Sequence, residues 1–402
     1  MQSHDAIRQV GFIQQALSQN RKQIGFLLGA GCPLSIRVNH RRECDKEVSD
    51  PLIPDVAGLT AMIHAQLSAA NGAPATSWDK IIAMVKADGG NEKNIELLLS
   101  QIRQLFSVAG KGTVRDMSAT ELEKLDEEIC KIISKAVSKP LPSNKSPYHN
   151  LAIWSRSTRR VKPVHLFTTN YDLLMEQALE ESASPYFDGF IGSRKAFFDL
   201  GAVEDEELLP ARWSRLWKIH GSLNWRLEDG KNVVRSDEKA ENQSYLIYPS
   251  HLKYDQSRKM PYLAMLDRLK EFLLNPSALL FISGYSFGDE HINDIICRAL
   301  ETNASAHVFS FMFGSLDSEQ YSKAKECALA TPNLSVLAFD KGIIGRNEGE
   351  WAASDEPTAF NLPSGIINVD ASTKVCELKL GDFLVLGNLL KNLSVGDASD
   401  DE

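Results

Sequence analysis

The chain has 402 residues, 43% of them hydrophobic and 24% charged, with a formal net charge of -9. That length suits one large α/β domain with an insertion, or two domains. The acidic balance, with no basic stripe, argues against a protein that binds nucleic acid directly. No apolar run reaches the roughly 18 residues of a membrane span. Met1 to Asn20 also lack the charged and apolar regions of a signal peptide, so a cytoplasmic protein without membrane contact is expected.

In chain order, residues 5–20 predict an amphipathic helix, with Ile7, Val10, Ile13 and Leu17 at three- and four-residue spacing. Ile24 to Leu28 predicts a buried strand that ends in the small-residue turn Gly29-Ala30-Gly31. Residues 56 to 157 read as a helical subdomain inserted into an α/β fold, with Ser118-Ala119-Thr120-Glu121 matching a capping box. Strands and helices then alternate: strand Pro163–Thr168, helix Leu173–Glu180, strand Arg215–Ile219, strand Tyr245–Tyr248, helix Tyr262–Leu274 and strand Ala278–Gly284. Helix His291–Leu300 and strands Val308–Phe313 and Leu334–Phe339 complete the pattern. It predicts a Rossmann-like, doubly wound, mostly parallel sheet. Arg226 to Ser244 reads as an exposed loop or hairpin. Residues 1–340 would form the main domain. Residues 341–402 would form a carboxyl-terminal extension with strands in Ile366–Leu380, a helix at Phe383–Leu393, a role as oligomer contact and a disordered acidic tail.

The six cysteines, Cys32, Cys44, Cys130, Cys297, Cys327 and Cys376, never stand at C-x-x-C spacing. A zinc ribbon is therefore not expected, and neither is any other metal.

Four segments carry chemistry, and each ends or follows a predicted strand, where ligands of open α/β sheets bind. Gly29-Ala30-Gly31 can bring backbone N–H groups against a pyrophosphate, or be a plain tight turn. Thr168-Thr169-Asn170-Tyr171-Asp172 can project the Asn170 amide into a cleft, or cap the next helix. His220 ends a strand before Gly221, where an imidazole can accept a proton near neutral pH, although a lone histidine can equally be structural. Gly284-Tyr285-Ser286-Phe287-Gly288-Asp289 can hold a ribose or phosphate, or simply cap a helix with Asp289.

Together these segments resemble the sirtuin superfamily, and more closely its prokaryotic branch that destroys NAD in anti-phage defence. Gly29-Ala30-Gly31 resembles the family's G-A-G, and Ile53-Pro54-Asp55 its I-P-D at a longer spacing. Thr169 to Asp172 resembles Q-N-I-D, His220-Gly221 the H-G, and Gly284-Tyr285-Ser286 the distal G-x-S. The resemblance implies Asn170 and His220 as catalytic residues, with Gly29, Ala30, Gly31, Asp55, Asp172, Gly284 and Ser286 binding NAD as substrate. It implies NAD+ hydrolysis to nicotinamide and ADP-ribose, homo-oligomers and a HerA-type ATPase partner. Protein-deacylating sirtuins carry two C-x-x-C pairs after the H-G, and here none follows His220. A sensor of NAD or ADP-ribose without turnover, a deacylase and a nuclease are the competing functions.

Overall fold

A computed structural model describes residues 3–43, 46–70, 73–143, 145–157, 160–228, 232–236, 243–247, 261–352, 363–370 and 375–395. The expected acidic tail lies almost wholly outside these residues. The centre is a ten-stranded sheet. Its strands in chain order are β1 (Ser3–Asp5), β2 (Ile24–Leu28), β3 (His165–Thr168), β4 (Tyr186–Phe187), β5 (Ser214–Lys218), β6 (Leu279–Ser283), β7 (His307–Phe311), β8 (Leu334–Leu337), β9 (Lys341–Ile344) and β10 (Asn347–Ala352). Their spatial order is β1-β10-β9-β8-β7-β6-β2-β3-β5-β4. Every pairing is parallel except β8 with β9 and β9 with β10.

Why the middle strands read as continuous apolar runs is plain from the two cores. Side chains alternate across a strand. Phe26, Leu28, Leu166, Leu216 and Phe281 face one core, which also holds Val10, Ile13 and Leu17 of helix Ala6–Leu17. Leu27, Phe167, Trp217, Leu280 and Ile282 face the other, with Leu269 and Phe272 of helix Tyr262–Leu274 and Ile292 and Ile296 of helix Glu290–Thr302. Helices therefore cover both faces, which is the doubly wound α/β arrangement expected. Asp5 starts the first helix by accepting from Arg8 N at 2.9 Å.

Between β2 and β3 lie helices Val56–Leu67, Ser77–Ala87, Ile95–Ala109 and Ala119–Val137, then Pro147–Ser157. The capping box of Ser118 and Glu121 is present, and Thr76 with Asp79 forms a second. A hairpin of Arg37–Glu43 and Lys46–Pro51 precedes these helices. A five-stranded antiparallel sheet grows out of β5, in the order Gln243–Ile247, Gly221–Glu228, Asn232–Arg235, Ala196–Phe198, Phe190–Ile191. The hairpin alternative for Arg226 to Ser244 is met by the antiparallel pairing of Gly221–Glu228 with Asn232–Arg235, while its expected exposure is corrected at its start. Arg226 is only 4% exposed and its guanidinium donates to the carbonyls of Leu223 and Trp225. Charge on an arginine does not keep it at the surface when its stem packs and its head finds carbonyls.

Candidate functional site

The four motif-bearing strands are neighbours, in the order β6-β2-β3-β5. Their carboxyl ends are level. Ser283 pairs with Leu28, Leu28 with Thr168, and Thr168 with Lys218. The glycine turn, Asn170, His220 and Gly284 thus emerge along one rim of the sheet. Asn170 and His220 each stand two residues beyond paired positions on adjacent strands.

Backbone contact knits the rim together. Gly29 N donates to Ser283 O at 2.9 Å and Gly31 N to Gly284 O at 2.8 Å. A Cβ on Gly29 would sit 2.3 Å from Gly284 O, and one on Gly31 2.7 Å from Gly284 Cα. These glycines allow two loops to touch main chain to main chain. The amides of Gly29 and Gly31 thus meet backbone carbonyls of the neighbouring strand and loop. Ala30 is the exposed member of the turn. Cys32 follows, fully buried, with Sγ donating to Ser283 O at 3.2 Å. Burial pushes its thiol up to about 12, so it stays neutral and unreactive.

Asn170 is tied to the same turn. Its Nδ2 donates to Gly29 O at 3.1 Å and its N–H to Thr168 Oγ1 at 3.0 Å. Thr168 Oγ1 in turn donates to Leu28 O at 3.0 Å. The donor end of the amide is thus held by the glycine turn.

Asp172 is 6% exposed, and its Oδ1 accepts from Leu174 N at 3.0 Å, just ahead of helix Leu174–Glu181. Burial drives its carboxyl up to about 6, against the pull of Lys218. Lys218, at the end of β5, is 1% exposed and pairs with Glu176 Oε1 at 2.8 Å while donating to the Asp172 carbonyl. This buried cation was not singled out in the sequence, although a lysine closing an apolar strand is a visible signal. A cavity of about 630 Å³ is lined by Glu176 together with Leu173, Leu223, Glu180, Asp188 and Arg235.

His220 is 8% exposed. Its Nε2 lies 3.1 Å from Asp289 Oδ2, and its ring centroid is 6.4 Å from that of Tyr171. Asp289 also caps helix Glu290–Thr302, with Oδ1 accepting from His291 N at 3.0 Å. The sequence showed the cap and missed the imidazole contact, because one carboxylate serves both. Gly284, at φ +68°, is half-buried, and Ser286 is exposed on the same loop. Asp55 is exposed and caps helix Val56–Leu67 through Gly58 N at 2.8 Å. No contact places it on the rim among the described residues. No group of three or more His, Cys, Asp or Glu that could hold a metal occurs among the described residues, and no helix there is long and apolar enough to cross a membrane.

No curated protein matches the chain. A solved structure described as the structural basis for the mechanism and regulation of Sir2 enzymes is similar at 12% identity, covering 78% of this chain and 86% of that one, with a TM-score of 0.34. The family model of the SIR2-like domain matches residues 164–337, a span that takes in Asn170, Asp172, His220, Gly284, Ser286 and Asp289 and leaves the glycine turn outside. The chain therefore carries similarity to the SIR2-like domain over the strands that supply three of its four rim segments.

Proposed function

We propose that this chain hydrolyses NAD+, cleaving the nicotinamide–ribose bond to give nicotinamide and ADP-ribose. The observation that carries the proposal is the level rim, where Asn170 beside the glycine turn and His220 on the adjacent strand stand at equivalent positions. Similarity to the SIR2-like domain over both residues supports it. So does the lack of any C-x-x-C pair after His220, which favours water over an acyl-lysine as the acceptor.

Nicotinamide in NAD+ is already a cationic leaving group. Its C–N bond breaks with the electron pair passing to the ring, leaving an oxocarbenium-like ribose. Water then bonds to the anomeric carbon, and the proton it loses goes to His220. Asn170 Oδ1 would accept from that water or from a ribose hydroxyl and fix its approach. The pyrophosphate would meet the Ala30 N–H, with Gly29 and Gly31 keeping side chains out of the way. Gly284 and Ser286 would border the adenosine side. Asp172 would border the carboxamide side while its Oδ1 holds Leu174 N, and Asp55 would stand further out. Depletion of NAD in anti-phage defence, a homo-oligomer and a HerA-type ATPase partner complete the proposal. They rest on the resemblance of the four motifs.

Losing a general base costs on the order of 10²–10⁴-fold in rate. His220→Ala is therefore expected to abolish most nicotinamide release, measured by chromatography with NAD+ in excess, and Asn170→Ala to lower it strongly. Release at the parent rate by His220→Ala would overturn the role of the imidazole. Tight binding of NAD+ by the parent with no nicotinamide formed, alone and with partner present, would point to a sensing module instead.

A further inference from the structure

We propose that Asp289 is the positioning residue of the imidazole, fixing His220 with its proton on Nε2 so that Nδ1 is the basic nitrogen. The inference rests on the hydrolase reading for its consequence in rate, and on geometry alone for the tautomer.

The contact is built rather than incidental. Asp289 Oδ2 stands 3.1 Å from His220 Nε2, with both side chains largely buried, at 13% and 9% exposed. An ionised carboxylate accepts hydrogen bonds and donates none. The ring nitrogen facing it must then carry the hydrogen, and the lone pair falls on Nδ1. Histidines in proton transfer need such a partner, because a ring free to flip presents the wrong nitrogen for part of the time.

What holds Asp289 in place is independent of His220. Its other oxygen, Oδ1, accepts from His291 N at 3.0 Å and Ile292 N at 3.4 Å. The single hydroxyl hydrogen of Tyr285 is shared between the Asp289 carbonyl at 3.0 Å and Asn293 Oδ1 at 2.8 Å. Asn293 Nδ2 donates to Phe287 O at 2.8 Å, which stabilises the turn that places Phe287 at φ +61°. A non-glycine residue held there is strained and persists only where its surroundings over-determine it. The Gly284–Asp289 loop thus does two jobs. Its start meets the glycine turn, and its end orients the imidazole from a different strand. One loop sets the distance between the phosphate side and the base.

Asp289→Asn separates the two duties of the carboxylate. Asparagine caps helices about as well as aspartate, so the thermal midpoint should stay within a few degrees of the parent. The negative charge facing the imidazole is lost, and the amide can present NH2 or C=O to Nε2. Loss of orientation is expected to lower kcat about 10²-fold or more with KM for NAD+ little changed, and Asp289→Glu should recover part of it. Nitrogen-15 NMR of the histidine-labelled protein reads the tautomer without turnover. The parent is expected to show His220 with Nε2 protonated at pH values where the ring is neutral, and Asp289→Asn a mixture. A parent already showing a mixture, or an Asp289→Asn enzyme with unchanged kcat and unchanged tautomer, would overturn the proposal. If the parent releases no nicotinamide with NAD+, the hydrolase reading fails alone, and the tautomer still decides the role of Asp289.

Discussion

At φ +68° Gly284 lies where L-residues lose roughly 1–2 kcal/mol, and an added Cβ would stand 2.5 Å from Cys32 N and 2.9 Å from Cys32 Sγ. Neither partner can yield, because both belong to the turn that follows β2. Gly284→Ala should therefore lower the unfolding free energy by about 2 kcal/mol or more, read as a fall in the urea midpoint. An unchanged midpoint would mean the two loops part freely. Asp172 gives a prediction with a definite sign. Burial raises its carboxyl to about 6 from 3.8, so between these values the folded chain holds a proton that the unfolded chain releases. That contribution to stability is fully present below about pH 4 and is lost as pH rises through 6. Asp172→Asn keeps an acceptor for Leu174 N without the charge. Its stability relative to the parent should increase from pH 4 to pH 7, by up to about 3 kcal/mol, in urea melts across that range. A relative stability that falls instead would show the ionised carboxylate to be stabilised by Lys218 more than it is penalised by burial. Asn170 and His220 were legible as polar residues closing apolar strands. The partner of His220 was not, since Asp289 already had a sufficient local explanation as a helix cap and the contact joins distant parts of the chain.

At the level of elements, the parallel strands were legible because burial on both faces removes polar residues from them, and Phe26 and Leu27 go to opposite cores without interrupting the run. Helices of the insertion were legible from one-sided periodicity and from Ser118 with Glu121. The companion box of Thr76 with Asp79 was not, since its acidic residue is Asp where the pattern looked for Glu or Gln. Antiparallel strands fared worst. Arg37–Glu43 carries several charged side chains on a two-stranded hairpin with little to bury, and Gly221–Glu228 begins at a glycine and buries an arginine. Period-two alternation needs one wet face and one dry one, and neither strand offers that contrast. The legible cap can be tested: Ser118 Oγ receives Glu121 N at 3.2 Å, and Glu121 Oε2 receives Ser118 N at 2.8 Å. Ser118→Ala should cost about 0.5–2 kcal/mol by urea titration, with nicotinamide release unaffected because the helix Ala119–Val137 supplies none of the four rim segments.

On the scale of the whole molecule, the segment after residue 340 is woven into both ends of the fold. β9 and β10 continue the sheet, and β10 in turn receives β1 from the amino terminus. Trp351 covers Gly342, where a Cβ would approach its ring to 2.8 Å, and its Nε1 donates to Ala338 O at 2.9 Å. Helix Phe383–Val395 places Phe383, Leu386, Leu389 and Leu390 at no more than 2% exposure in the same core as helix Ala6–Leu17. Phe383 meets Tyr148 edge-on at 5.0 Å between centroids, and Gly387 lets this helix close on Pro147, to which a Cβ would approach within 2.6 Å. Burying four such side chains contributes roughly 1.5–3 kcal/mol each, which together rivals the 5–15 kcal/mol total stability usual for a domain. The boundary at 340, drawn where the βα alternation stops, therefore falls inside the sheet. A chain ending at Asp340 should lose its cooperative thermal transition, followed by circular dichroism. Leu389→Ala in the full chain should cost about 2–5 kcal/mol, a graded version of the same loss. A sharp transition retained after truncation, together with a Leu389→Ala cost below about 1 kcal/mol, would mean that the first 340 residues close their own core and that the last helix merely lies against it.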